Sequence, residues 1–143
     1  MNKTDEEIIA EIGQLYTALR KRFDRVMSEH GASLAQTKML VAIQAAAGML
    51  RAADIAELFG IAPRTVTEAL DALELEALIV RMPDLSDRRM KRLKITPAGE
   101  AAVSRTEPIR DQISHEIMEV LDPEERTSFA NAVQKLLHCN QWT

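Results

Sequence analysis

Residues 52–76, AADIAELFGIAPRTVTEALDALELE, read as two short helices forced to cross at a sharp turn. Ile55, Leu58 and Phe59 fall on one helical face, and Gly60 can adopt the left-handed backbone that such a turn requires. Ile61 then plugs the turn. Pro63 suits a first helical position, because the N–H it lacks would have no partner there anyway. Val66, Leu70 and Leu73 supply the buried face of the second helix. Ala56 is small where that helix crosses, and a larger side chain would hold it away. Together these features make a helix-turn-helix pattern, which two ordinary packed helices joined by a glycine turn could imitate.

The next segment narrows the choice. Leu78–Met82 and Lys91–Thr96 read as two strands, and Leu93 and Ile95 alternate with Arg92 and Lys94, which predicts the charges outward. The intervening PDLSDRR is rich in turn formers. A helix-turn-helix followed directly by a basic hairpin is a winged helix, so the expected class is mainly α, an α+β winged helix. The net charge of −4 argues at first against a polyanionic partner. Its distribution reverses that impression. Residues 81–94 hold six basic groups (Arg81, Arg88, Arg89, Lys91, Arg92 and Lys94) against Asp84 and Asp87, a local +4 on a body of −8. A polyanion meets local charge, although charge alone would equally describe a solvated loop.

Long amphipathic helices flank this lobe. Ile8, Ile12, Leu15, Leu19, Phe23 and Val26 recur at steps of three and four, predicting one helix over residues 5–30. At roughly 39 Å it is longer than a small core can cover. Ser33 with Gln36 opens a short helix through Met39, Leu40 and Ile43, which Gly48 ends. Thr96-Pro97 restarts helix to about Leu121 through Val103, Ile109, Ile113, Ile117 and Val120, with a kink expected at Pro108. Asp122-Pro123 with Glu125 caps a last helix carrying Phe129, Val133, Leu136 and Leu137. Pairing the two ends across a two-fold axis is the economical way to bury these faces. The expected organisation is therefore an N-terminal dimerisation helix (1–32), a winged lobe (33–99) and C-terminal dimerisation helices (100–143).

Composition removes other classes. Aromatic residues are only 3% of the 143, which disfavours base-stacking RNA readers and carbohydrate clefts. The single cysteine, Cys139, excludes an internal disulfide framework, suits a reducing cytoplasm and reads as structural or incidental, the alternative being a redox sensor. His30, His115 and His138 lack metal-ligand spacing, and no phosphate loop or catalytic constellation is evident, so neither enzyme nor cofactor is expected. Asp5, Glu6, Glu7 and Glu11 are the reverse of a signal peptide's basic start, and no apolar run reaches the ~18 residues of a membrane span. The expected location is cytoplasmic.

The order of parts resembles the MarR family of bacterial transcriptional regulators over nearly the whole chain. ADIAELFGIAPRTVTEALDALE, the LIVR strand, SDRRMKRLKIT and the following PAG carry the resemblance, and Asp87-Arg88-Arg89 before the basic strand is its most specific element. The resemblance implies a homodimer of interlocked terminal helices holding two winged lobes. It also implies recognition helices in double-stranded DNA's major groove, wing tips in the adjacent minor groove, and release by a small aromatic or anionic effector. The expected DNA-binding residues are Pro63, Arg64, Thr65, Thr67 and Glu68 on the recognition helix, and Asp87, Arg88, Arg89, Lys91 and Arg92 on the wing. In these roles Arg89 enters the minor groove, Asp87 holds the turn, and Arg88, Lys91 and Arg92 contact phosphates. Leu15, Leu19 or Phe23 would lie near an effector.

Two positions depart from the family pattern. Ala77 stands where a glycine is usual, so the backbone there either avoids positive φ or tolerates a cost of about 1 kcal/mol. Glu68 stands where many members are basic, and it either accepts from a cytosine amino group or pairs with Arg64 and positions it. The rival to a ligand-responsive repressor is a winged helix used as a protein-interaction module with an acidic partner.

Overall fold

The computed structural model describes residues 2–139. Eight elements follow in order: α1 (Asp5–Glu29), α2 (Leu34–Ala45), α3 (Ala52–Phe59), α4 (Pro63–Leu75), β1 (Ile79–Pro83), β2 (Lys91–Ile95), α5 (Pro97–Met118) and α6 (Pro123–Leu137). They divide into two compact units, residues 1–109 and 110–143, with α5 contributing to both.

In the first unit, Met39, Leu40 and Ile43 of α2 meet Ile55 of α3, Val66, Leu70 and Leu73 of α4, Ile79, Leu93, and Val103 at the start of α5. Ala56 and Ile61 pack against this core, as the crossing and the plugged turn require. Leu58, expected on the same face as Ile55, is exposed instead. The core lies to the side of Ile55, Ala56 and Phe59, and Leu58 is rotated away from it. In α1 only the C-terminal part is seated, with Met27 fully buried and Phe23 half-buried, while Ile8, Ile12 and Leu15 remain exposed.

β1 and β2 pair antiparallel from Ile79↔Ile95 to Pro83↔Lys91, β1 lying one residue later than expected at both ends and β2 ending one residue sooner. A third piece, unseen in the sequence, completes the sheet. Arg51 bridges Arg92, and the Leu93 N–H donates to the Leu50 carbonyl at 2.8 Å.

Three helices end with the same device. The Ala32 N–H reaches Met27 O and Gly31 reaches Ser28 O after α1; Ile61 reaches Ala56 O and Gly60 reaches Glu57 O after α3. After α4, Leu78 reaches Leu73 O at 3.0 Å and Ala77 reaches Glu74 O at 2.9 Å. This pair of hydrogen bonds needs a left-handed residue, and Gly31, Gly60 and Ala77 have φ of 72°, 62° and 59°. The alanine therefore tolerates the strain rather than avoiding it. Ala77→Gly is expected to stabilise the protein by about 0.5–1 kcal/mol, less than the full left-handed penalty because glycine also frees the unfolded chain. A raised urea midpoint with unchanged slope is the expected readout, and an unchanged or lowered midpoint would count against strain at this turn.

In the second unit, Asp122 and Glu125 form the expected reciprocal cap, with bonds of 2.9 and 3.0 Å. α5 runs through Pro108 to Met118, so Val120, expected on its face, lies in the exposed connection that Asp122-Pro123 imposes. Phe129, Leu136 and Leu137 are exposed on α6.

Candidate nucleic-acid interface

Pro63 occupies the first turn of α4, and Arg64, Thr65, Thr67 and Glu68 project from it into solvent. The Thr67 hydroxyl donates to the Pro63 carbonyl at 3.0 Å, which leaves that oxygen as an acceptor. Arg64 and Glu68 lie one turn apart and pair at 3.3 Å, Nε to Oε1, with side chains 91% and 69% exposed. Asp71 and Glu74, further along this helix, are neutralised by Arg81 of β1 at 2.8 and 3.2 Å. Arg81 is only 19% exposed, so it serves the lobe rather than its surface.

The hairpin is organised around a residue the sequence reading left unassigned. Asp84 is buried, and its Oδ1 accepts from the Ser86 hydroxyl (2.6 Å), the Ser86 N–H (2.8 Å) and the Asp87 N–H (3.3 Å). Its Oδ2 accepts from Arg92 Nε at 3.1 Å. The Ser86 donors foremost, then the Arg92 guanidinium, hold its carboxyl well below the usual carboxylate range, so the anchor stays ionised throughout the neutral region. The Asp-x-Ser spacing is an Asx-turn signature and was the available clue.

Arg92 is thus not turned freely outward as strand alternation suggested. It is 24% exposed, held by Asp84, and its Nη1 lies 3.6 Å from the Met49 sulfur. Arg51 makes the reciprocal contact, Nη1 to Met90 Sδ at 2.9 Å. Asp87 holds the tip as expected, accepting from the Arg89 N–H at 3.0 Å, with Arg89 Nε 3.7 Å away. Arg89 itself is 94% exposed. Arg88, Lys91 and Lys94 are exposed as well, so four of the six basic groups face solvent beside Leu85 at the tip.

A cavity of about 350 Å³ opens between α1, α2 and the α3–α4 turn. Tyr16, Arg20, Lys21, Lys38, Phe59 and Asp24 are among its walls, and the Lys38 ammonium lies 5.9 Å from the Tyr16 ring centroid. Leu15, Leu19 and Phe23, expected near an effector, do not line it. The sequence period identified the apolar face of α1, whereas the cavity uses the adjoining one.

His30 Nδ1 lies 2.9 Å from the Val26 carbonyl and His138 Nδ1 2.8 Å from that of Gln134, each at the end of its own helix. No cluster of three or more His, Cys, Asp or Glu suited to a metal occurs among the described residues. No helix among them is long and apolar enough to cross a membrane.

A two-stranded hairpin behind a helix-turn-helix defines a winged-helix protein. Within that class the fold is that of the MarR family, whose model matches residues 33–91, from the start of α2 to the wing. Solved structures match over nearly all of the chain. A MarR-family transcriptional regulator from Rhodococcus sp. RHA1 superposes with a TM-score of 0.82 at 16% identity, covering 98% of this chain and 100% of that one. S. aureus MepR in its DNA complex gives 0.74 at 23% identity, covering 95% and 98%. Bordetella bronchiseptica BpsR, whose DNA binding 6-hydroxynicotinic acid regulates, gives 0.76 at 22% identity, covering 96% of each chain.

Proposed function

We propose that this chain is a non-enzymatic, homodimeric, ligand-responsive transcription regulator, acting as a repressor on a near-palindromic DNA operator. The observation that carries the reading is the hairpin. Its root is braced internally by Asp84 and Arg92, while Arg88, Arg89, Lys91 and Lys94 are exposed in a lobe that otherwise carries excess acid. Residues 1–32 and 100–143 pair the subunits, and residues 33–99 form the DNA-binding lobe. The DNA complex of MepR supports the partner, and the regulation of BpsR by an aromatic acid supports the effector. In this chain the cationic and aromatic cavity beside Tyr16 and Lys38 suits a small aromatic anion.

Selection of bound fragments from random duplex DNA tests this directly. The expected outcome is a dyad with half-site centres roughly 10 bp apart. Fragments without dyad symmetry would favour a winged helix that docks an acidic protein partner instead.

On the selected operator, Arg89→Ala is expected to cost roughly 1–3 kcal/mol of binding, with the larger loss where A·T pairs narrow the minor groove under the wing. Lys91→Ala should weaken all duplexes alike and lower the salt slope by about one. Arg92→Ala should leave that slope unchanged, because a guanidinium 24% exposed and held by Asp84 has no phosphate contact to lose. Affinities on A·T-rich and G·C-rich operators at several salt concentrations separate the three. A slope lowered by Arg92→Ala would return that residue to the phosphate contacts.

A further inference from the structure

The exposed start of α4 carries a donor fork and a carboxylate side by side. Nothing else in the lobe explains the Glu68 position. Asp71 and Glu74 are tied down by Arg81, but the Arg64–Glu68 pair stands in solvent and braces nothing beyond itself. Arg64 Nε donates to Glu68 Oε1, a bond that engages neither terminal amino group of the guanidinium nor Oε2 of the carboxylate, and both side chains are largely exposed.

The major-groove edge of a G·C pair has the matching arrangement. Guanine offers N7 and O6 as acceptors, and cytosine offers its N4 amino group as a donor. Guanine O6 and cytosine N4 are themselves one hydrogen bond apart, about 2.9 Å. The 3.3 Å bond from Arg64 Nε to Glu68 Oε1 keeps the two head groups side by side, so that one base pair can meet both. A lone carboxylate in the groove would repel phosphate, and pairing with Arg64 offsets that repulsion as it aligns both groups. Alanine, glutamine or a second cation at residue 68 could not present this donor–acceptor couple.

We infer that each α4 reads a G·C pair as a unit, Arg64 donating to the guanine and Glu68 accepting from the cytosine amino group, which makes Glu68 a specificity-determining residue. The inference rests on the DNA-binding reading above and names the base pair that reading leaves open.

The test uses the full-length protein and the operator selected by the wild type, with single base-pair replacements across each half-site. Wild type should lose roughly 5- to 150-fold per half-site when the critical G·C becomes A·T. Glu68→Gln keeps an amide oxygen that can hold Arg64 Nε but replaces the free acceptor by a donor. It should still bind DNA, with discrimination at that position falling below about fivefold. Glu68→Ala should bind mixed duplex more tightly than wild type while losing the same preference, because a negative charge is removed. Arg64→Ala should lose the guanine requirement at the same pair.

If Glu68→Gln keeps wild-type preferences at every position, Glu68 only positions Arg64 and the inference fails. It also fails if a dyad operator is bound but tolerates A·T throughout the α4 positions, and in that case the regulator reading survives. Absence of any sequence-selective binding would overturn both.

Discussion

Ile12→Glu is expected to turn a dimer into monomers at micromolar concentration. Ile8, Ile12 and Leu15 lie exposed along one face of α1, flanked by Ile9 and Tyr16, and within the first unit only the C-terminal part of the helix is seated against α2. Covering the exposed half of such a side chain contributes about 1 kcal/mol, and a two-fold axis uses each residue twice. A carboxylate at the centre of that face would have to be buried without a partner, at a cost of several kcal/mol per copy. Sedimentation equilibrium should show the wild type as a dimer and the variant as a monomer, and the melting temperature of the wild type alone should rise with concentration. A wild type that sediments as a monomer would remove the proposed assembly.

The second large effect concerns Gly99, in the first turn of α5. A Cβ there would collide with the Leu78 carbonyl oxygen and come within 2.6 Å of Ile95 Cγ1. The same turn is pinned by the Thr96 hydroxyl, which donates to the Ala77 carbonyl at 2.6 Å and accepts from the Gly99 N–H at 3.1 Å. Helix, strand and the α4 terminus thus meet where no side chain fits. Gly99→Val is expected to destabilise by about 3 kcal/mol, lowering the melting temperature by roughly 10 °C. Gly13→Ala is the control with the opposite sign. Beyond the backbone of its own helix and its chain neighbours, nothing in the described chain lies within 4 Å of a Cβ at Gly13, in the middle of α1, so helix propensity dominates and a gain of up to about 1 kcal/mol is expected. A Gly99→Val protein that melts like the wild type would show that the close approach is absent.

Most of the architecture was legible because it is local. The three- and four-residue period of α1, Gly60 before Pro63, and the caps at Ser33 and Asp122 each act within a few residues of chain. The two-residue alternation of Leu93 and Ile95 likewise gave the buried face of β2. What alternation does not carry is the partner of the side chain on the other face. Arg92 was read as outward-facing, yet Asp84, eight residues away across the hairpin, claims it. Arg81 counted toward the basic patch, yet it is taken by Asp71 and Glu74, seven and more residues back on α4. The Arg51–Arg92 bridge escaped for a different reason: a single paired residue leaves no period to read. At Ala77 the sequence posed the alternatives and only the backbone angle could choose between them.

Arg81 also has a consequence for what the lobe can measure. It ties β1 to α4 through two carboxylates, and the Leu50–Leu93 bond ties β2 to the connection between α2 and α3. The hairpin root and α4 therefore form one caliper, its jaws set by the polypeptide. On the DNA-binding reading proposed above, a duplex gripped by both jaws would have to bring its own groove width and twist to the gauge, and sequences too stiff or too wide would be turned away at positions no side chain touches. On that reading, changes on the exposed face of α4 would alter which letter is read. Changes at Asp71 or Glu74 would reset the gauge itself.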